Sequence, residues 1–458
     1  MAYRVLAWFL RVVVRVFFRQ IEVAGLENVP REGPVIFAGN HPNSLIDPIL
    51  IITSCGRKVH FAAKDTLFKG RLLRAVLRGL GAVPLARQLD KGGGELGGAN
   101  DAAFEHMFGV LEAGGTLGIF PEGISHDESQ LAKLKTGAAR LALGGSQRAG
   151  RPVAIVPCGL VFIHPKRFRS RVLVQYGPPL EITGESTPET VRAVTGQLDT
   201  ALRRLTINAP DWETVRALDT VRRLYQPQEI SIEERVELAR RFNTYYGTVA
   251  ADPRVVDLMV RVRAYQHELD ELGLTDRELA RDLSKLEVSA RLMRHVVLVA
   301  WWLPLSVPGV PWHLPPLLFA RLAGPALTPR KDVIATTKML IGMLIVLLAY
   351  AATIAYVWWR IGFVWAGWLA ILLPLSGIAT LHVLDRVRLV RRAGGVLVRR
   401  MRFRREVAAL RVEREQLVHD VIAVVNAVKP AELALMFPRG ETSEQRDDAD
   451  LDAELDRR

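Results

Sequence analysis

The chain has 458 residues, a formal net charge of +13 and only two cysteines, Cys55 and Cys158. That length suits two or three domains, and the cysteine usage excludes a disulfide framework or a cysteine-based zinc site and favours a reducing compartment. The basic balance suits an anionic partner; nucleic acid fits less well than a lipid surface or a phosphorylated substrate, because long uncharged segments fill the C-terminal half and no DNA- or RNA-binding motif appears.

Residues 1–19 place Arg4, Arg11, Arg15 and Arg19 at helical spacings among Leu6, Trp8, Phe9, Leu10, Val13, Val14, Phe17 and Phe18. This is the pattern of a basic amphipathic helix lying in a lipid headgroup layer, the alternative being a core-packed helix with a solvated arginine face. No small-residue cleavage site follows, so a secretory signal is not expected.

Residues 20–205 alternate strand-like and helix-like stretches, as a compact α/β domain does. Three apolar runs carry its chemistry. Pro34 to Ala38 reads as a buried strand that breaks into a polar loop, Gly39-Asn40-His41-Pro42-Asn43-Ser44-Leu45-Ile46-Asp47. An imidazole is well poised to take a proton near neutral pH, and a carboxylate close by can fix its tautomer and stabilise the imidazolium. Leu117 to Phe120 is a second strand, ending in Pro121-Glu122-Gly123-Ile124-Ser125, and Val153 to Leu160 is a third. The C-terminal ends of such strands are where open α/β sheets bind ligands.

Between these runs, Lys64 in Phe61-Ala62-Ala63-Lys64 is a candidate phosphate or coenzyme contact, and Lys135 sits near the start of a helix, where a cation and the helix dipole together favour phosphate. The glycine-rich stretch 91–98 lacks the spacing of a nucleotide-binding loop and reads as a connection. Cys158, inside an apolar strand, reads as core filler, not as an acyl-thioester nucleophile. No Gly-x-Ser-x-Gly elbow supports a serine acyl-enzyme.

These motifs, in this order, resemble the four blocks of the glycerophospholipid acyltransferase family: His41…Asp47, then Gly81-Ala82-Val83-Pro84-Leu85-Ala86-Arg87, then Phe120-Pro121-Glu122-Gly123-Ile124-Ser125, then Ile155 to Leu160. Five residues separate His41 from Asp47 where the commonest form has four, which resembles the fungal-type branch acting on glycerol 3-phosphate or dihydroxyacetone phosphate; Ser125-His126-Asp127, Leu134 to Gly137 and Phe168 to Arg171 are further echoes. The resemblance implies an α/β acyltransferase domain with a mixed sheet flanked by helices. It implies catalysis by His41 and Asp47, with Arg87, Glu122, Gly123, Ser125, Lys135 and Lys64 binding substrate. It also implies acyl-CoA or acyl-carrier protein as co-substrate, and no metal or other cofactor. The implied acceptor is glycerol 3-phosphate, with a lysophospholipid as the alternative, and a non-catalytic scaffold of the same fold as a further one.

Residues 206–295 are charged, Leu- and Val-periodic and helical. In 296–384, the stretch 296–320 is uncharged but interrupted by Pro304, Pro308, Pro311, Pro315 and Pro316, so a re-entrant or broken segment is expected. The runs 339–359 and 361–384 are each long enough to cross about 30 Å of hydrocarbon and predict a transmembrane hairpin. Arginines flanking both outer ends place those ends, and with them the catalytic domain, on the cytoplasmic side, in a bacterial inner membrane more readily than in endoplasmic reticulum. A basic helical segment, 385–440, and an acidic, unstructured tail, 441–458, complete the expected organisation.

Overall fold

The computed structural model describes residues 2–86, 100–225, 232–280, 285–328 and 330–428. Eight strands form one sheet: β1 (Phe18–Ala24), β2 (Val35–Gly39), β3 (Val59–Lys64), β4 (Val83–Leu85), β5 (Thr116–Ile119), β6 (Val153–Phe162), β7 (Ser170–Tyr176) and β8 (Leu180–Ile182). Their order is β1-β7-β6-β2-β5-β3-β4, with β8 against β6. The sheet is parallel except where β6 meets β7 and β8. Strand β2 is buried along its whole length between β5 and β6, which is why it reads as a continuous apolar run without alternation.

Helices cover both faces. On one side α1 (Ala2–Phe17) and α2 (Ile46–Ser54) pack Val14, Phe17, Leu50 and Ile51 against Val35, Phe37 and Val156. Beyond β3, α3 (Arg71–Gly79) follows, and on the other face α4 (Asp101–Glu112), α5 (Gly137–Ala149) and α6 (Pro188–Leu205) cover Ile36, Ile155 and Leu117. Helix α1 divides its apolar residues: Ala7, Val14 and Phe17 enter the core, whereas Val5, Trp8, Val12 and Val16 stay exposed beside its arginines. One face of the helix is thus packed on the core, and the other stays exposed.

The second half of the chain is helical: α7 (Trp212–Tyr225), α8 (Ile232–Val249), α9 (Pro253–Leu272), α10 (Asp276–Ala280), α11 (Lys285–Ser306), α12 (Val310–Leu327), α13 (Ile334–Arg360), α14 (Phe363–Arg402) and α15 (Arg404–Val428). Among the described residues, three stretches are long and apolar enough to cross a membrane: Met293–Leu327, Ile334–Arg360 and Phe363–Arg402. The proline-rich stretch breaks only at Val307–Gly309, a single 3-10 turn between α11 and α12. Pro311 falls in the first turn of α12, where its missing N–H costs nothing, while Pro304, Pro315, Pro316 and Pro325 are carried inside helices. Helix α14 does not stop at Leu384: it continues through the basic run to Arg402, so the expected boundary between membrane and cytoplasmic segments falls within one helix. Residues 206–280 and 403–428, treated apart in the sequence, share one core in which Leu218 and Val221 of α7 and Met259 and Val262 of α9 meet Leu410, Leu417 and Val421 of α15.

One ion pair ties the sheet to the long helix. Arg169, on the β6–β7 connection, binds the carboxylate of Asp385 on α14 through Nε and Nη2 at 2.5–3.2 Å, and its Nη1 donates to the carbonyls of Arg15, Val16 and Phe18 at the α1–β1 junction. Both side chains are largely buried, so removing one partner leaves an uncompensated charge. Asp385→Ala is expected to destabilise the chain by about 3 kcal/mol. Arg169→Ala should destabilise at least as much, and the double variant by less than the sum of the two. Denaturation in detergent of the four proteins checks this; strictly additive losses would contradict the tie.

Candidate active site

The strand ends bring two loops together. Strand β2 ends at Gly39, and Asn40 then locks the following backbone to β6: its Oδ1 accepts from Leu160 N–H at 2.7 Å and its Nδ2 donates to Leu160 O at 3.1 Å. A Cβ on Gly39 would lie 3.3 Å from the ring of Phe120, so the glycine lets the β5 loop approach closely. His41 comes next, its ring stacked on Phe120 at 4.0 Å between centroids and 4° between planes. Phe61 backs Phe120 from behind at 5.5 Å.

The five intervening residues are accommodated with Ser44 in the left-handed region, φ 51°, after which α2 begins and carries Asp47 in its first turn. The helix dipole there favours a carboxylate. Oδ2 of Asp47 lies 2.8 Å from His41 Nδ1 and also accepts the Asn43 N–H at 2.7 Å. Asp47 is fully buried, and its Oδ1 has no hydrogen-bond partner among the described residues. Burial pushes its carboxyl above the usual carboxylate range, opposed by the His41 ring and the Asn43 amide. A hydrogen bond from Nδ1–H to Asp47 directs the basic lone pair of His41 onto Nε2, and the histidine side chain remains 11% exposed.

Glu122 holds the second loop. Pro121 and Glu122 form a tight turn closed by Gly123 N–H to Phe120 O at 3.0 Å, with Gly123 at φ +72°. A side chain at Gly123 would also strike Lys135, whose Cε and Nζ lie 2.8 and 2.9 Å from the position of a Cβ. The buried Glu122 carboxylate accepts the backbone N–H of His41 at 2.9 Å through Oε1, and through Oε2 the N–H of Ala132 at 2.8 Å and the Nε2 of His126. The Glu122 hydrogen bond raises the His126 pKa above its ordinary value, against the opposing effect of burial. Ser125 completes the seam: its Oγ accepts Ser44 N–H at 3.1 Å, and His126 N–H donates to His41 O at 3.1 Å.

The structure thus brings His41, Asp47, Glu122, Gly123, Ser125 and Lys135 into one neighbourhood. Lys64 ends β3, opposite Leu85 of β4. Arg87 and the glycine-rich stretch 91–98 lie outside the described residues. Cys158 is buried in β6, and burial pushes its thiol well above the ordinary value, as it pushes Cys55 to about 11. Neither is poised as a thiolate.

Asn40, Asn43, Phe120 and His126 stand within the motifs quoted from the sequence but carry no assigned role there, and Thr336, from the helical half, has no place in the sequence reading at all. Thr336 Oγ1 donates to Asn43 O at 3.2 Å, and Arg330 donates to Ser125 O at 3.0 Å. Asn40 and Asn43 flank the histidine in a turn, a signal that Asx side chains bond nearby backbone; Thr336, 293 residues from Asn43, leaves no such local signal.

Comparison with known proteins bears on this geometry. Residues 20–161 match the acyltransferase family model, and residues 217–433 match the model described as the glycerol-3-phosphate acyltransferase 2 C-terminal domain. Glycerol-3-phosphate O-acyltransferase 2 of Saccharomyces cerevisiae is 33% identical over 49% of this chain and 32% of its own length. Glycerol-3-phosphate O-acyltransferase 1 of the same yeast is 27% identical over 78% of this chain and 61% of its own. This chain therefore spans a third to three-fifths of those relatives. A crystal structure of the 1-acyl-sn-glycerophosphate acyltransferase PlsC from Thermotoga maritima is similar at 23% identity and a TM-score of 0.33, covering 44% of this chain and 77% of that one.

The Glu122–His126 contact makes a pH prediction. Because the folded-state pKa of His126 is raised, the pair's stabilisation is fully present below the free-histidine value of 6.5 and is lost as pH rises through the raised value. Glu122→Gln should return the His126 titration, followed by NMR, toward lower pH. A His126 that titrates identically in both proteins would show that the carboxylate does not hold it.

Proposed function

We propose, on the premise that the chain belongs to the glycerophospholipid acyltransferase family and carries a C-terminal domain of the fungal glycerol-3-phosphate acyltransferase type, that it moves a fatty acyl group from acyl-CoA or acyl-carrier protein to the hydroxyl of glycerol 3-phosphate. The observation that carries this reading is the 2.8 Å His41–Asp47 pair, held at the end of a central strand against the Glu122 loop.

In this reading His41 Nε2 takes the proton of the acceptor hydroxyl as its oxygen attacks the thioester carbonyl. The tetrahedral intermediate collapses by breaking the carbon–sulfur bond, and the leaving thiolate recovers the proton from the imidazolium as a thiol. Asp47 supports the imidazolium. Its carboxylate is buried with one oxygen unpartnered among the described residues, so a positive charge on His41 is the chief compensation available to it. No covalent acyl-enzyme is required, in keeping with two cysteines whose thiols burial keeps protonated.

Glu122, buried and engaged by three protein donors, orders both loops, and as an anion it is no partner for the phosphate. The phosphate falls to cations, Arg87 through its planar fork and Lys135 beside Gly123. A lysophospholipid is the second reading. It is favoured by the 28% identity of 27% of this chain to the 1-acyl-sn-glycerol-3-phosphate acyltransferase of Borreliella burgdorferi. The long apolar helices support a membrane-embedded enzyme, and the basic residues at both outer ends of the α13–α14 hairpin support a catalytic part on the cytoplasmic side, next to a soluble acyl donor.

The test is acyl transfer by the full chain with labelled palmitoyl-CoA, offering glycerol 3-phosphate and lysophosphatidate in parallel. Transfer to glycerol 3-phosphate is expected, and His41→Ala should reduce kcat by about 10²- to 10⁴-fold while the variant stays folded by circular dichroism. Asp47→Asn should lose activity comparably. His41→Ala with wild-type turnover would remove the mechanism; preference for lysophosphatidate would keep it and change the acceptor.

A further inference from the structure

Helix α13 buries Ala335, Thr336 and Met339, all within its first two turns. Ala335 and Met339 join the core cluster that holds Val14, Phe17 and Leu50, which seats this end of the helix against the catalytic half. Thr336 lies beside them, 3% exposed, and sends its hydroxyl outside its own helix. A helical threonine commonly donates to a carbonyl one turn back, as the neighbouring Thr337 does to Val333 O at 3.1 Å. Thr336 donates to Asn43 O, at 3.2 Å, in the loop between His41 and Asp47.

Asn43 is 1% exposed and is tied both to the catalytic pair and to two elements outside its loop. Its N–H donates to Asp47 Oδ2 at 2.7 Å, and Asp47 Oδ2 lies 2.8 Å from His41 Nδ1. Its carbonyl accepts both the Ile46 N–H, at 3.2 Å, and the Thr336 hydroxyl. Its Nδ2 donates to Pro165 O on the β6–β7 connection at 3.1 Å. Ile46 belongs to α2 and moves with Asp47, so it gives the loop no outside reference; Thr336 and Pro165 do. The second loop of the site is held from the same region: Arg330, just before α13 and paired with Asp332 at 2.7 Å, donates to Ser125 O at 3.0 Å.

We propose that Thr336 is a positioning residue for the acyl transfer: by fixing Asn43 from outside the loop it holds the Asp47 carboxylate on His41 Nδ1, so the first turn of α13 is part of the active site. The inference rests on the His41–Asp47 reading given above. Asp47 depends on such a hold, because its Oδ1 has no partner among the described residues and its Oδ2 serves both Asn43 and His41. Thr336 acts through Asp47, and a displacement of about 1 Å at a catalytic group can cost as much as 10²-fold in rate.

The full chain is purified in detergent as wild type, Thr336→Val, Thr336→Ala, Thr336→Ser, Asp47→Asn, the Thr336→Val/Asp47→Asn double variant and, as a control, Thr337→Val. Thr336→Val keeps the volume and removes the hydroxyl. It should lower kcat about tenfold with KM for both substrates little changed, and Thr336→Ala, which cannot overpack, should do the same. Thr336→Ser and Thr337→Val should turn over as wild type. In the Asp47→Asn background Thr336→Val should remove less than about a further twofold, because the group it positions is already gone. A second arm needs no substrate. With isotope-labelled histidine, the His41 Nδ1 proton, assigned by its loss in His41→Ala, reports the bond to Asp47; it should move upfield in Thr336→Val and stay in place in Thr336→Ser. The same tenfold loss in both backgrounds, or an unmoved Nδ1 proton in Thr336→Val and Thr336→Ala, overturns the proposal. A wild-type chain that acylates neither acceptor, while that proton still moves in Thr336→Val, overturns the functional reading and supports the positioning by Thr336.

Discussion

A single buried carboxylate organises the site. Glu122 accepts three donors from three places: the backbone of His41, the backbone of Ala132 and the ring of His126. The first belongs to the loop after β2, the other two to the loop after β5, so two chain segments 81 residues apart are joined at one side chain. A buried carboxylate left without these donors would face a large desolvation cost, and the turn therefore has one conformation in which its polar groups are satisfied. The placement of His41 follows. Its backbone is pinned by Glu122, its ring is flattened on Phe120, and its Nδ1 is aimed at Asp47. Loss of any one of these would leave the imidazole more than one orientation.

Much of this was legible in the chain because the relevant signals are local. A strand that is buried on both faces must read as an unbroken apolar run, and a polar loop must follow where it emerges. Val35 to Gly39 and Thr116 to Ile119 obey that rule, so the positions of His41 and Glu122 at strand ends could be read before any coordinates. The five-residue spacing to Asp47 was legible too, but its solution was not. Only the left-handed backbone at Ser44, a residue with no glycine-like preference, shows how the loop closes the pair.

What the chain concealed is long-range. Arg169 and Asp385 are 216 residues apart, and nothing in either neighbourhood marks them as partners among so many arginines. The α7, α9 and α15 core joins segments separated by the apolar helices, so periodicity revealed each helix and not the helix it faces. The prolines of 296–320 gave the expectation of a re-entrant or broken segment but not where it breaks: the helices carry Pro304, Pro315 and Pro316, and the break falls at Val307–Gly309. Of the prolines in that stretch, only Pro311 sits in the first turn of an α-helix, whose N–H groups have no intrahelical partner and which absorbs a proline at no cost.

Helix α14 has 40 residues, which at the α-helical rise makes it about 60 Å long, roughly twice the thickness of a hydrocarbon core. Its second half meets the helical bundle through Arg392 to Glu278 at 2.6 Å, Arg399 to the Gly273 carbonyl and Arg400 to the Glu278 carbonyl, while Asp385 in its middle meets Arg169 of the sheet. Two docking points on one rigid rod are related by both distance and angle. Adding or deleting one residue between Asp385 and Arg392 turns the far contacts by about 100°, so the helix has a phase as well as a length. An insertion of seven residues there would restore the angle but move the far contacts about 10 Å along the axis, so one helix fixes phase and span together and neither contact can be kept by adjusting the other.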